Sequence, residues 1–314
     1  MTTADMQALA TAIQAGEVKS LARAISLVEN SVEGYEELLM SLPASPVPVI
    51  GITGPPGAGK STLVDALIET VPAENKKVGV LCVDPTSPFN YGALLGDRIR
   101  MSSYYNHPSV FIRSLATRGS LGGLHPKIIE ITDVMKSATF DYLIVETVGV
   151  GQSEVEIAGL ADVTVVVLVP EAGDGVQTMK AGLMEIADIF VVNKADRPDT
   201  DSMVKNLRLM LAPAFNRNTK EIPIIKTTAS QKQGTNELIQ TINSLLKRPA
   251  VADKKLSLWT EKAYLLIQQK KMQTVNKQIL LAEIKQQVAA QRFNLYTFVN
   301  DKLMENVSNI GEQL

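Results

Sequence analysis

A single cysteine, Cys82, leaves the chain without the means to form an intramolecular disulfide, which suits a reducing compartment and sets the expectation of a cytoplasmic protein. Long apolar runs are missing too. No stretch approaches the roughly 20 apolar residues needed to span a bilayer, and the segment from Met1 to Ala15 carries acidic and polar residues where a secretory signal would be continuously apolar. Charge of one sign is not in excess: the formal net charge of −2 offers no electrostatic case for nucleic acid or for an anionic membrane surface. Internal repeats and low-complexity tracts are absent. Histidine is scarce: His107 and His125 lie far apart, with no acidic or cysteine companions at ligand spacing, so structural or surface roles are expected of both. Trp259, the one tryptophan, is expected to pack or to sit in an interface.

What is present describes an α/β protein. With 314 residues, 45% hydrophobic and 20% charged, the chain can bury a sizeable core, and one large domain with additions is the first expectation. Residues 5–42 read as helices, because Leu9, Ile13, Leu21, Ile25 and Val28 keep helical spacing until the proline-rich run Leu42 to Pro48. From Val47 short apolar runs alternate with amphipathic segments. The runs are Val47–Thr53, Val78–Val83, Val110–Ile112, Tyr142–Val145, Val163–Val169, Ile189–Val192 and Ile222–Ile225. They are β-branched and apolar on both faces, as strands of a mostly parallel sheet covered by helices are. The helical segments between them include Ser61–Thr70, Lys127–Lys136, Glu154–Leu160, Gly175–Met184 and Asn236–Leu246. The alternation predicts a doubly wound fold, whose ligands bind at the carboxyl ends of the strands. After Arg248-Pro249 the strand signal stops, and 256–305 reads as helical with a broken apolar stripe, Met272, Val275, Ile279, Ile284 and Val288. Packing on the chain's own core and packing on a second copy both account for that stripe. The expected organisation is an N-terminal helical extension at 1–46, a nucleotide-binding domain at 47–248 and a helical segment at 249–314.

Three motifs carry the chemistry. Gly54-Pro55-Pro56-Gly57-Ala58-Gly59-Lys60-Ser61, followed by Thr62, matches G-x-x-x-x-G-K-[ST] between a strand and a helix. Its glycines let backbone N–H groups converge on phosphate oxygens, and the helix adds its positive end. Lys60 is placed to reach the β- and γ-phosphates, and the Ser61 hydroxyl to ligate Mg²⁺. Asn193-Lys194-Ala195-Asp196 follows the run ending at Val192. A carboxylate there accepts from both N1–H and the exocyclic amine of guanine, whereas adenine would leave it facing an acceptor. GTP rather than ATP is therefore expected. Glu146-Thr147-Val148-Gly149 stands where GTPases carry D-x-x-G: the acid acts on Mg²⁺ and Gly149 turns an N–H toward the γ-phosphate. Asp84 and Asp97 add two carboxylates; since Mg²⁺ takes few carboxylates beside phosphates and waters, Asp97 is expected as the direct ligand, with Asp84 and Glu146 acting through water.

Four further segments make the pattern specific. Val83-Asp84-Pro85-Thr86-Ser87-Pro88-Phe89, Leu95-Gly96-Asp97-Arg98-Ile99-Arg100-Met101, Arg118-Gly119-Ser120-Leu121-Gly122-Gly123 and Glu146-Thr147-Val148-Gly149-Val150-Gly151-Gln152-Ser153 resemble the MeaB, or ArgK-like, family, whose human relative is the methylmalonic aciduria type A protein. The resemblance covers about residues 5–250. It implies a P-loop G domain of the SIMIBI class that binds GTP and GDP with Mg²⁺ and hydrolyses GTP. It also implies a homodimeric chaperone for adenosylcobalamin-dependent acyl-CoA mutases, gating cofactor loading and protecting the mutase. By the same resemblance Lys60 and Ser61 take the phosphate and Mg²⁺ positions, Asp84, Asp97 and Glu146 the metal-proximal ones, and Asn193, Lys194 and Asp196 the base. The loop Thr228-Ala229-Ser230 would back the base, and Pro170–Gln177, including Asp174, resembles a further switch that reports nucleotide state. Val150 stands where Ras-like enzymes carry their water-orienting glutamine; Gln152 is the nearby candidate, and slow hydrolysis completed by a partner is the expectation. The chain lacks D-x-H-x-x-G, by which some proteins hold cobalamin, so no cobalamin is expected on this chain alone. Alternatives are a nickel-insertion GTPase of the same class, an amino-acid-transport kinase or ATPase, and a nucleotide-gated interaction module without catalysis.

Overall fold

In the computed structural model, which describes residues 2–71, 75–84, 104, 107–118, 124–149, 153–170, 181–215, 222–247, 253–272 and 275–302, the β-branched runs assemble into one parallel sheet. Its strands are β1 (Val49–Thr53), β2 (Val78–Asp84), β3 (Val110–Ala116), β4 (Tyr142–Glu146), β5 (Val163–Leu168), β6 (Ile189–Val192) and β7 (Ile224–Lys226). They lie in the order β3-β2-β4-β1-β5-β6-β7, every pair parallel. The order runs outward in both directions from β1, which is the doubly wound arrangement expected from the alternation.

Side-chain alternation along the strands feeds two cores. Leu143, Val145, Val166, Leu168, Phe190 and Val192 face one, and Ile144, Val163, Val165, Val167, Ile189 and Val191 the other. The second core is closed by α4 (Lys60–Thr70), through Leu63, Val64, Leu67 and Ile68, and by α9 (Thr235–Leu246). The first receives α5 (Ile128–Lys136), α6 (Ser153–Leu160), α7 (Ala181–Ile186) and α8 (Thr200–Phe215), and also the N-terminal helices α1 (Thr3–Gln14), α2 (Val18–Glu29) and α3 (Tyr35–Ser41). Burial of a Leu, Ile or Val side chain is worth about 1.5–3 kcal/mol. Leu21, Ile25 and Val28, all buried, therefore make α2 an integral layer over the sheet.

β2, β4, β5 and β7 (Ile224–Lys226, expected as Ile222–Ile225) depart from their apolar runs by one or two residues, and the boundaries of β1 and β3 differ for identifiable reasons. β1 begins at Val49, not Val47: Pro48 has no N–H to give a ladder, and the Val49 amide donates to Asp162 Oδ2 at 2.8 Å. β3 runs on to Ala116, four residues past the apolar run, through Arg113 and Ser114. Arg113 is tolerated because its guanidinium donates to Glu29 Oε2 at 2.7 Å and to Ser26 Oγ at 3.1 Å, both on α2.

The chain divides into two compact units, Met1–Leu258 and Trp259–Leu314. The helices that follow α9 are α10 (Asp253–Met272) and α11 (Lys277–Ala289), and residues 295–302 are helical as well. The expected continuous helical stretch is broken before Lys277, where Asn276 caps α11 by accepting from the Gln278 amide at 2.8 Å. Within the second unit Phe298 is buried against Phe293, their rings 6.0 Å apart, and Lys302 pairs with Glu283 at 2.9 Å. No residue of α11 is buried. None of the described helices is long and apolar enough to cross a membrane.

His125 has a structural place. It is 2% exposed, and its Nδ1 accepts from the Lys127 amide at 3.0 Å. Burial pushes its pKa down to about 4, with Glu29 and Glu130 pulling the other way and Arg118 and Lys127 adding to the depression. The folded protein thus keeps His125 neutral while the unfolded chain, with an ordinary value near 6.5, takes up a proton between about pH 6.5 and 4. Stability is complete above pH 6.5 and is lost as pH falls through that window. Urea unfolding at pH 7 and pH 4.5 should show a pH-dependent loss that shrinks by about 1–3 kcal/mol in His125→Gln; equal losses in the two proteins would contradict this placement.

Candidate nucleotide site

The site grows from the turn that joins β1 to α4. Gly54 leaves the strand at φ 139°, and a Cβ there would lie 2.1 Å from the Val167 carbonyl oxygen. Gly59 caps α4 at φ 84°, and a Cβ would lie 2.4 Å from Asn193 Nδ2. Both positions need glycine for its backbone and for its missing side chain. Because Gly59 supplies no capping side chain, the first-turn N–H groups of α4 face the concavity of the loop, where an anion is favoured. Ala58 is fully buried under the loop, and Gly57 at φ 75° forms its open outer rim. Lys60, only 8% exposed, donates to the carbonyls of Gly54 at 2.9 Å and Pro55 at 3.2 Å. Its ammonium is thereby held inside the loop's arch. Thr62 follows in the first turn of α4.

Parallel pairing sets the acids beside that loop. Ile52 is in register with Glu146, and Cys82 with Glu146 on the other side. Glu146 is buried, and its Oε1 accepts from Ser61 Oγ at 2.7 Å. Asp84, also buried, ends the neighbouring strand β2. A serine hydroxyl and two buried carboxylates at adjacent strand ends form an oxygen donor set that fits Mg²⁺, which completes its shell with phosphate and water. Among the described residues no group of three or more His, Cys, Asp and Glu could hold a metal ion by itself. Gly149 rests directly on the phosphate loop: a Cβ there would meet Lys60 Nζ at 2.6 Å and Pro56 N at 2.7 Å.

The base motif follows β6 at the same edge. Asn193 is buried, and its amide works as a crossbar. Nδ2 donates to the Ala58 carbonyl at 3.0 Å, while Oδ1 accepts from Thr227 Oγ1 at 3.0 Å and the Ala229 amide at 3.1 Å. Lys194 takes a left-handed backbone, φ 57°, and the Ala195 amide donates to the Thr227 carbonyl at 3.0 Å. This turn leaves Asp196 exposed at the rim, across from Thr228, Ala229 and Ser230, of which only Ser230 is exposed. The structure therefore brings together the phosphate loop, Asp84, Glu146, Gly149 and the base segment. Asp97, Gln152 and Glu171–Gln177 lie outside the described residues.

Sequence reading missed a second set of ties around the site. Tyr104 donates to Glu69 Oε1 at 2.9 Å, and Lys232 pairs with the same carboxylate. These bonds lower the Glu69 pKa, the Lys232 contact foremost, and burial beside Glu69 raises that of the Tyr104 phenol. They fasten the C-terminal turn of α4 to the loop that carries Thr228–Ser230. No motif marks them; only Lys232, in a left-handed turn at φ 57°, sits next to a predicted site segment. Two surface recesses among the described residues lie elsewhere. One of about 370 Å³ is lined by Leu21, Phe111 and Phe140, another of about 330 Å³ by Lys205, Arg208 and Lys226, and neither includes a residue of the phosphate loop.

Comparison with known proteins agrees with this geometry. A family model described as methylmalonyl-CoA mutase-associated GTPase MeaB matches residues 21–288. A protein of Pyrococcus abyssi named as a GTPase is 49% identical over 229 residues, covering 71% of this chain and 70% of its own. The GTPase ArgK of Escherichia coli is 35% identical, covering 73% of this chain and 72% of its own. A fused isobutyryl-CoA mutase of Geobacillus kaustophilus is 37% identical over 265 residues, which are 79% of this chain and 24% of the mutase. Among solved structures, one described as an LAO/AO transport system kinase covers 98% of this chain and 99% of its own with a TM-score of 0.65, at 24% identity, and so speaks to the fold alone. With a family model over most of its length and relatives well above 30% identity over more than two thirds of it, the chain belongs to the MeaB family of GTPases.

Proposed function

We propose that this GTPase is a nucleotide-gated chaperone of an adenosylcobalamin-dependent acyl-CoA mutase, controlling cofactor loading and protecting the loaded enzyme. The observation that carries the reading is the Geobacillus kaustophilus relative, a fused isobutyryl-CoA mutase in which a segment similar to this chain forms part of the polypeptide. Covalent fusion raises the effective concentration of two modules that work on each other, and the family description associates the unfused members with a mutase as well.

In this reading Gly54, Gly57, Ala58, Gly59, Lys60, Ser61 and Thr62 hold the phosphates. Asp196 pairs with the guanine edge, with Lys194 along the base and Thr228, Ala229 and Ser230 behind it. Asn193 acts one step removed, locking the base segment to the Ala58 carbonyl. Ser61, Asp84, Asp97 and Glu146 are the candidate Mg²⁺ residues, and the ion, when bound, neutralises charge on the phosphates. Lys60 supplies a cation beside the leaving phosphate, and Gly149 and Gln152 are the candidates for placing the attacking water. A chaperone role then requires only that a partner bind the GTP and GDP states with different affinity. The segment at 249–314 is assigned to homodimerisation in a cytoplasmic protein. Trp259, Tyr264, Leu265, Ile267, Ile279 and Leu281 are all exposed there, an apolar surface that a second copy would bury.

Lys60→Ala should abolish multiple-turnover GTP hydrolysis in a folded protein, and Asp196→Asn should exchange GTP preference for xanthosine triphosphate, whose C2 oxygen accepts from an amide. Unchanged turnover in Lys60→Ala, or a parent protein that binds ATP as tightly as GTP, would defeat the site assignment. Sedimentation of the full chain at micromolar concentration should report a dimer; a monomer would remove the role given to 249–314. Titrating an adenosylcobalamin-dependent acyl-CoA mutase into the GDP and GTP-analogue forms should give affinities differing by roughly 5–150-fold, with faster GTP turnover in the complex. Equal affinities with an unchanged rate would sink the chaperone role and leave the GTPase standing.

A further inference from the structure

Between Glu146 and Gly149 the backbone passes against the phosphate loop, and a buried side-chain contact ties it to the strand from which that loop departs. Thr147 Oγ1 donates to Thr53 Oγ1 at 2.9 Å, and both residues are buried, Thr53 at 0% and Thr147 at 1% exposure. Thr53 is the last residue of β1, the position from which the phosphate loop departs. The Thr147 amide adds a bond to the Ile52 carbonyl at 3.0 Å. Val148, next in line, is partly buried against the first core. Gly149 then lies against Lys60 Nζ and Pro56. The end of β1 and the residue that follows β4, which carry two halves of one site, are thus joined side chain to side chain by a hydroxyl pair, beside the backbone bond.

Stability does not call for such a pair. Each hydroxyl gives up water to be buried, and replacing both partners by apolar groups of the same shape is close to neutral. A hydrogen bond differs from an apolar contact in direction: it fixes where Thr147 stands relative to Thr53, whereas two methyl groups would allow sliding. The residues on either side of Thr147 are the ones that need that precision. Glu146 reaches Ser61 at 2.7 Å, and Gly149 approaches the loop too closely to admit even a methyl group.

We propose that Thr53 and Thr147 are positioning residues for GTP hydrolysis, their hydroxyl pair holding the Glu146–Gly149 segment in register with the phosphate loop. The inference rests on the nucleotide-site reading given above. The pair touches neither nucleotide nor metal in this scheme; it acts through Glu146 and Gly149. Its loss should lower kcat with little change in KM for GTP, because misplacement of reacting groups penalises the transition state more than the ground state.

The test uses the full chain and compares Thr53→Val, Thr147→Val, the double variant Thr53→Val/Thr147→Val and Thr147→Ser, with Lys60→Ala as control. Each single valine strands one buried hydroxyl, so both singles should melt lower and turn over on the order of tenfold more slowly. The double variant leaves no hydroxyl unpaired and should recover the parent melting temperature while keeping the low kcat. Thr147→Ser retains the donor and should regain most of the parent kcat. If a single variant does not fold, the double variant and Thr147→Ser carry the comparison. A double variant with parent stability and parent kcat would overturn the inference, since the pair would then be packing alone. That failure is separable from failure of the site itself: an inactive Lys60→Ala beside a fully active double variant removes only the hydroxyl pair, whereas an active Lys60→Ala removes the reading on which it rests.

Discussion

All strands of a parallel sheet end at the same edge, and the candidate site is assembled by that constraint. β1 delivers the phosphate loop, β2 ends in Asp84, β4 ends in Glu146 and β6 leads into Asn193. These residues are up to 139 positions apart in the chain, from Gly54 to Asn193, yet they converge because the register of the pairs leaves them no other level to occupy. The hydrophobic alternation that fills the two cores is thus also what sets the height of each functional residue: a slip of one residue in a strand would turn its apolar side chains to the wrong face. Burial in the two cores and convergence at the edge are enforced by the same contacts.

Convergence at an edge gives proximity, and polar bonds convert proximity into fixed geometry. Asn193 shows the difference. Its amide serves the Ala58 carbonyl, the Thr227 hydroxyl and the Ala229 amide at once, joining phosphate loop, base motif and base-backing loop at one buried point. Ala in its place would leave those groups unsatisfied at about 1–3 kcal/mol each, which makes it a structural crossbar first. The sequence motif N-K-x-D therefore contains two kinds of residue. Asn193 is turned inward to the protein, and Asp196 is exposed at the rim, as its proposed pairing with a base requires. Glu69 plays a comparable part on the far side of α4, accepting from Tyr104 and pairing with Lys232.

Much of this was legible in the sequence because the signals are local. A strand followed by G-x-x-x-x-G-K-S encodes its own turn, since Gly54 and Gly59 must adopt backbones and approaches that other residues cannot. The apolar runs marked all seven strands, since parallel strands are buried on both faces. What was not legible depends on partners distant in sequence. Nothing near Arg113 announces that Glu29, 84 residues away, will neutralise it and let β3 run on to Ala116. For His125 the sequence left a structural and a surface role open, and only its burial in the folded protein decides for the first. The inward aim of Asn193 is likewise invisible, because its three partners come from two other loops. The roles expected of Asp97, Gln152 and Asp174 stay with the sequence argument, since these residues lie outside those the structure describes.

The substitution of Glu for Asp at position 146 follows from the same geometry. Glu146 is paired in register with Ile52, one residue short of the end of β1, while its hydroxyl partner Ser61 lies beyond the phosphate loop in the first turn of α4. An aspartate at this level would be shorter by one methylene, about 1.5 Å, and could not close the 2.7 Å contact without moving β4 or α4. Moving either is resisted by the core on that side of the sheet, where Leu63, Leu67 and Ile144 are packed together. The longer acid thus reaches Ser61 from this register, committing one carboxylate oxygen to it. The orientation of the carboxylate then depends on where the backbone of Thr147 is held, and the proposed role of the hydroxyl contact with Thr53 extends to Glu146 and Ser61 as well as to the phosphate loop.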